Sequence, residues 1–491
     1  MKNSLNQFIV IVSVITALFI QFDTKAQTFD FKWSESVDKY EFSKYIGTLN
    51  DEYIFSNRLY ASNKCLVAKI SVNDLKINNQ FTVQEVNDSF KNYKNNFSIV
   101  SGNKILHGIS FENKKEKTEL LRLVEWSETK NLLELVKDIF TFKYDKWSSI
   151  EYALSSDKSK LIVYKSIFSS KTFRNDYEYV VLDVATLNEI SQGIFSSDSK
   201  TEKVDKLVLD NLGQVHLVLQ KYKSKNEQKK DEMKFDYVIR IFSNSNFKKE
   251  IKIEIPNYQV LTYDYLQGED HHYYITGFAY SLPDDRKEKF TNKMYLSTID
   301  CKNLEVSNFM VQELATLYPN RKLMGDEAVP YTIKSVHKSK DGGFSIIGEQ
   351  VLSTYNISTA ATSFSNYNIA CIKLSKDFQM EYLTTIPKIQ VGVNYFSFIS
   401  TYFNEKIYIL FNDNQENSNK YNYEDLKWMS NNQSKTGLFL ATVSQDGTYK
   451  KEMILDYTNE KEKVNPILSK VISPNKILLN HVTKIGILNI K

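Results

Sequence analysis

One pattern constrains this chain more than any other: a short apolar strand, a polar turn and a second strand recur from end to end. The first strand of the pair reads LVAKI at 66–70, LLRLVE at 120–125, YVVLDV at 179–184 and YVIRIF at 237–242. It continues as YLSTI at 295–299, IACIKL at 369–374 and LFLATV at 438–443. The turns that follow (SVNDLK, SETKNL, ATLNEI, SNSNFK, DCKNLE, SKDFQM and SQDGTY) are rich in residues that hydrogen-bond their own backbone and tolerate left-handed conformations. Upstream of each lies another strand: DEYIFSN (51–57), NKILHGI (103–109), KLIVYKS (160–166), QVHLVLQ (214–220), HYYITGF (272–278), GFSIIGE (343–349) and KIYILFN (406–412). Shorter runs precede these, such as FSIVSG (97–102), KLVLD (206–210) and FSFIST (396–401). The repeating unit is therefore four antiparallel strands, A to D, of roughly 54 to 75 residues. The stretch 120–139, the nearest approach to a long amphipathic helix, reads in this frame as two strands around a turn.

Seven copies are complete. Runs at 467–472, 476–482 and 485–490 supply strands A, B and C of an eighth, whose strand D is missing. TFDFKW at 28–33 precedes the first copy without a hairpin partner and offers the missing strand. A lone four-stranded sheet cannot cover both its faces, but radial packing of such sheets can. The predicted fold is all-β: a β-propeller of eight four-stranded blades, closed by an N-terminal strand that completes the last blade. A seven-bladed ring is the alternative if one copy is misread, and a pair of β-sandwiches stands behind it. Composition agrees, with 42% hydrophobic residues and 25% charged ones, too apolar for a disordered chain. Three cysteines in 491 residues exclude a disulfide scaffold, and a formal charge of +4 gives no reason to expect nucleic acid.

The turn–strand signature, clearest in SSDKSKLIVY (155–164), LDNLGQVHLVL (209–219) and SKDGGFSIIG (339–348), resembles repeats of secreted bacterial β-propeller proteins. The resemblance implies the fold and no particular activity, since no blade carries a tryptophan–aspartate or kelch double-glycine signature.

Residues 1–26 read as a cleavable targeting segment and 27–491 as one propeller domain. Lys2 supplies the positive charge, 8–20 an apolar stretch too short to cross a bilayer, and Thr24 and Ala26 the small residues before a cut at Gln27. The expected location is extracytoplasmic, either periplasmic or secreted, with no membrane span after cleavage and a monomeric state. Cys65 and Cys371 lie in or beside apolar strands and are expected to be buried thiols. A Cys301–Cys371 bridge is the alternative.

In a propeller the A–B and C–D turns share one face, and the B–C and D–A connections share the other. The B–C segments at 110–118, 167–176, 221–234, 279–293, 350–367 and 413–437 are the long ones, which marks that face for binding. Its largest insertions adjoin in blades 5 to 7. The candidate binding residues are Tyr355, Phe364 and Tyr367 of blade 6, Tyr421, Tyr423 and Trp428 of blade 7, and Arg321 and Asp326 in the connection at 313–330. Aromatic rings among Asn, Ser, Asp and Glu suit stacking on sugars or anchoring of a protein. The lysine-rich segment 221–234 also carries acids and reads as a solvated hairpin tip.

Glu269, Asp270, His271 and His272 resemble a metal-ligand cluster. They occupy an A–B turn, however, and adjacent strand residues point to opposite faces, so no metal site is predicted. His107, His216, His337 and His481 fall in strands of different blades and read as structural. No standard catalytic signature occurs, and no cofactor is expected. The reading is a non-catalytic binding or scaffold propeller with a protein or glycan partner. The alternative is a hydrolytic or carbohydrate-active enzyme whose site sits at the central channel.

Overall fold

A computed structural model describes residues 29–491, except 37–43, 60–63, 84–92, 128, 131, 170, 230–234, 261, 268–271, 282–292, 315–330, 357–360, 393–394, 431–434, 459–462 and 482. The expected targeting segment at 1–26 (the described residues begin at 29), Arg321, Asp326 and the Glu269–Asp270–His271 run lie outside the described residues.

Among the described residues the strands form eight sheets, each built on an antiparallel four-stranded blade. Blade 1 comprises Lys44–Leu49, Glu52–Leu59, Lys64–Ser71 and Ile77–Val83 as strands A to D. The next sheets follow in chain order, and every B and C strand contains the core of the run predicted for it. In blade 8, Lys470–Ser473, Lys476–Asn480 and Ile485–Ile490 are joined at the outer edge by Phe29–Trp33. Its register runs from Phe29 opposite Ile490 to Trp33 opposite Gly486. Ser34 secures the junction, donating its amide to the Ile485 carbonyl at 2.8 Å and accepting the Ile485 amide on Oγ at 3.0 Å. The ring is therefore an eight-bladed propeller closed by its own N-terminal strand.

Among the described residues the core consists of eight apolar clusters, each between two neighbouring blades, the last joining blade 8 to blade 1. This explains the near-continuous apolar character of the B and C strands. In a strand successive side chains face opposite sides of the sheet, and in a blade both sides are covered. Ile54 packs toward blade 2, while its neighbours Tyr53 and Phe55 pack toward blade 8. Leu161 and Val163 likewise face blade 2, and Ile162 faces blade 4. The A strands of most neighbouring blades touch one another.

Two blades depart from the simple repeat. In blade 5, strand A is broken into Tyr258–Val260 and Asp264–Gln267, both paired with His272–Ser281. The backbone of Thr262 presses against Gly277 at the break, where a Cβ would lie 1.7 Å from the Thr262 oxygen. In blade 6 the expected B–C loop at 350–367 is instead a β-hairpin arm, because Phe344–Asn356 and Ala361–Leu374 stay paired far beyond the blade. Its Thr-, Ser-, Tyr- and Asn-rich sequence has no proline or glycine to stop the ladder. Connections 110–118 and 167–176 are also tighter than expected, since their strands run on to Asn113 and Thr118, and to Ser169 and Arg174. The long insertions thus belong to the later blades.

All three cysteines are buried and none is in a disulfide, so the Cys301–Cys371 bridge does not form. Burial pushes the Cys371 thiol far above its ordinary range. Among the described residues no helix is long and apolar enough to cross a membrane.

Candidate functional site

The insertion in blade 7 leaves strand B, Lys406–Asn414, and returns through strand C, Thr436–Val443. It carries two single-turn 3₁₀ helices, Gln415–Asn417 and Tyr423–Asp425, and a short strand, Met429–Ser430. Its form is fixed from beneath by buried polar groups. Asp413 is fully buried, and its Oδ1 accepts the Asn414 amide and the Asn417 Nδ2, both at 2.8 Å. Asn417, also fully buried, clamps the far side of the loop: Oδ1 accepts the Lys427 amide at 2.7 Å and Nδ2 donates to the Lys427 carbonyl at 2.8 Å. Asn414 caps the first turn through the Glu416 amide at 2.9 Å and donates to the Trp428 carbonyl at 3.2 Å.

Charge completes the base. Burial pushes the Asp413 carboxyl up to about 6, opposed by the Lys451 ammonium and the Asn417 hydrogen bond. Lys451 Nζ lies 3.7 Å from Asp413 Oδ2 and donates to the Lys420 carbonyl at 3.1 Å. Burial pulls Lys451 below its ordinary range.

The insertion is also stitched to blade 6. Met429–Ser430 pairs in parallel with Gln390–Gly392, which pairs with the hairpin arm through Phe364–Gly392 and Asn366–Gln390. Under this seam lies a second buried cluster. Lys388 meets Glu349 and donates to Gln390 Oε1 at 2.7 Å. Ser397 donates to the other Glu349 oxygen at 2.6 Å. Lys388, Glu349 and Gln390 are fully buried, and desolvation holds Lys388 below its usual range.

On this support the aromatic residues divide. Trp428 is 60% exposed and Tyr421 47% exposed, the latter ring lying 5.5 Å from that of Tyr449. Tyr423 and Tyr367 are half-buried against each other, ring centroids 6.5 Å apart, linking the insertion to the arm. Tyr355 and Phe364 sit on the arm's two strands, opposite Thr362 and Ser353. Sequence reasoning missed the supporting groups Asp413, Asn417, Lys451, Glu349 and Lys388. The one visible sign was the polar run NDNQEN at 412–417 directly after an apolar strand.

The inner strands carry carboxylates as well, each held by a neighbour. Glu151 accepts the Tyr164 hydroxyl at 2.7 Å, Asp205 accepts that of Tyr263, and Asp264 lies 3.5 Å from Lys206 Nζ. The strand histidines are enclosed: His337 lies 3.1 Å from Ser400 Oγ, and burial lowers it to about 4. His216 faces Asp210 at 3.4 Å with both side chains buried. His272, the described member of the acidic–histidine run, opens strand B of blade 5 opposite Asp300.

The sheet order and ring closure define the class: this is an eight-bladed β-propeller. No protein-family profile matches the chain, and no curated protein does. Among solved structures it is similar to the WD40 domain of SCAP from fission yeast, at 6% identity and TM-score 0.40, covering 94% of this chain and 98% of that one. It is similar to the β-propeller domain of the Trilobed protease from Pyrococcus furiosus, at 12% identity and TM-score 0.34, covering 89% and 100%. A third neighbour is Porphyromonas gingivalis dipeptidyl peptidase 4, at 10% identity and TM-score 0.43, covering 92% of this chain and 60% of that one. These likenesses concern the fold alone, which serves unrelated functions.

Proposed function

We propose that this chain is a non-catalytic binding propeller that recognises a protein or glycan through the B–C face of blades 6 and 7. One observation carries the reading: Tyr421 and Trp428 stand exposed on an insertion whose base is fixed by buried hydrogen bonds. A large ring held rigidly in solvent loses little freedom when a partner covers it, which is the economy of a binding hot spot. The insertion leaves strands B and C of its blade, away from the axial strands, and such an offset favours recognition over axial catalysis. Arg321 and Asp326 belong to the same proposed surface. The action is extracytoplasmic, a reading supported by the targeting features of residues 1–26.

The test compares the wild-type protein with Trp428→Ala and Tyr421→Ala on a glycan array and in pull-downs from the matching extracytoplasmic fraction. Removing a hot-spot ring should weaken a specific ligand by about 30-fold while leaving the unfolding midpoint unchanged. A ligand bound equally by wild type and both variants would refute the assignment.

A further inference from the structure

A second feature lies across the ring, where blades 1 to 3 border a pocket of about 320 Å³. Its walls come from the A strands of these blades and from strands B and C of blade 1. At the rim the Lys44 ammonium meets the Tyr152 hydroxyl and sits 4.8 Å from the centre of its ring. Phe97 stacks on Tyr152 with centroids 4.7 Å apart, giving an apolar wall.

A hydrogen-bonded chain forms the opposite side. Cys65 Sγ lies 3.0 Å from Ser56 Oγ, Ser56 donates to Ser98 Oγ at 3.1 Å, and Ser98 lies 2.9 Å from His107 Nδ1. His107 is fully buried, and burial lowers it to about 4, so at neutral pH its ring carries a single N–H. Its Nε2 meets no partner. A buried N–H without an acceptor is worse than an idle lone pair, so the proton belongs on Nδ1 and is donated to Ser98. Ser98 Oγ then accepts from both His107 and Ser56, which fills its two lone pairs and leaves its own hydrogen free to turn. The nearest acceptor for it is the Cys65 sulfur, at a long 3.7 Å.

Asn95 supplies the third donor. It lines the pocket, is 1% exposed, and its Nδ2 has no hydrogen-bond partner. An ammonium, an amide and a hydroxyl thus line one space, and among the described residues its lining contains no carboxylate. The volume falls at the small end of ligand sites.

We propose that this pocket binds a small organic anion, its carboxylate held by Lys44, Asn95 and Ser98 and its apolar body lying against Phe97 and Tyr152. The site is independent of the aromatic face. Titration calorimetry of the full chain with acetate, pyruvate and benzoate, and with neutral benzamide, tests it. Saturable binding of at least one of the three anions at millimolar concentration or below is expected, with benzamide at least about tenfold weaker than benzoate. Lys44→Met and Ser98→Ala should each weaken the bound anion about tenfold, and Lys44→Met, at an exposed position, should leave the melting temperature unchanged. Absence of saturation with all three anions, equal binding of benzamide and benzoate, or wild-type affinity in Lys44→Met would each overturn the proposal.

Discussion

Ring closure can be tested by removing the closing strand and giving it back. Deleting the chain through residue 36 takes away Phe29–Trp33 together with the Ser34 clasp. Phe31 and Trp33 are half-buried in the cluster between blades 7 and 8. Truncating a fully buried aromatic ring costs about 3–5 kcal/mol, so two half-buried ones contribute about 4 kcal/mol together. The ladder to Ile485–Ile490 adds a few hydrogen bonds of about 1 kcal/mol net each, offset by the entropy of a strand that no longer needs ordering. A loss of about 5 kcal/mol follows, a large share of the stability of a typical domain. Unfolding entropy of about 2.1 cal/mol/K per residue makes a chain of 491 residues lose about 1 °C per kcal/mol, so the melting temperature should fall by about 5 °C. A synthetic peptide spanning 27–36, added at about 100 times its dissociation constant, should restore about 2.7 kcal/mol, or roughly half the loss. Differential scanning calorimetry reads both steps. A truncated protein that melts with the full chain, or a scrambled peptide that rescues equally well, would refute closure by this strand.

The buried groups beneath the aromatic face give further tests. Replacing Glu349 with Ala strands the Lys388 ammonium, which should cost about 3–5 kcal/mol in urea unfolding. Adding Lys388→Met should recover most of this, whereas simple additivity would show that the two do not act as a pair. Asp413 predicts a pH dependence. Its carboxyl is raised from 3.8 to about 6 in the fold, so between those values the native state keeps a proton that the unfolded chain has released. Its contribution to stability is therefore present below the lower value and falls by roughly 3 kcal/mol as pH rises through the window. The stability difference between wild type and Asp413→Asn should show that slope, and a difference flat from about pH 4 to pH 7 would contradict it.

The architecture was legible because a blade leaves a mark that few other sheets do. Strands such as LIVY in blade 3 or LFLATV in blade 7 are apolar at consecutive positions, since Leu161 and Ile162 face different neighbours. Polar turns at regular spacing then separated the copies, and an orphan first strand matched a three-stranded last copy. Alternation failed where pairing outran the blade. The arm of blade 6 reads as a loop because its side chains are polar, yet its backbone stays in register from Val351–Asn366 to Asn356–Ala361. Local sequence also holds no sign that a third strand, Gln390–Gly392, would extend that sheet.

The same logic hid the supporting groups of the candidate site. Period-two reasoning sends a polar residue in a strand to water, but a blade between two neighbours has no watery face. Polar residues there must find partners across the interface or leave a costly gap. Lys165 of blade 3 meets Glu119 of blade 2, which also accepts Ser110 Oγ at 2.7 Å. Lys388 and Glu349, 39 residues apart in the chain, pair within blade 6 under the aromatic face. Where such pairing is complete, as around Asn417, the polar group fixes a loop in place. Where it is incomplete, as at Asn95 Nδ2, a donor is left aimed at open space. In a ring of blades, then, polar side chains within the covered strands are the positions that separate a site from its scaffold. At Asn95 the unpartnered donor lines a pocket, whereas at Asn417 the internal pairs fix a loop.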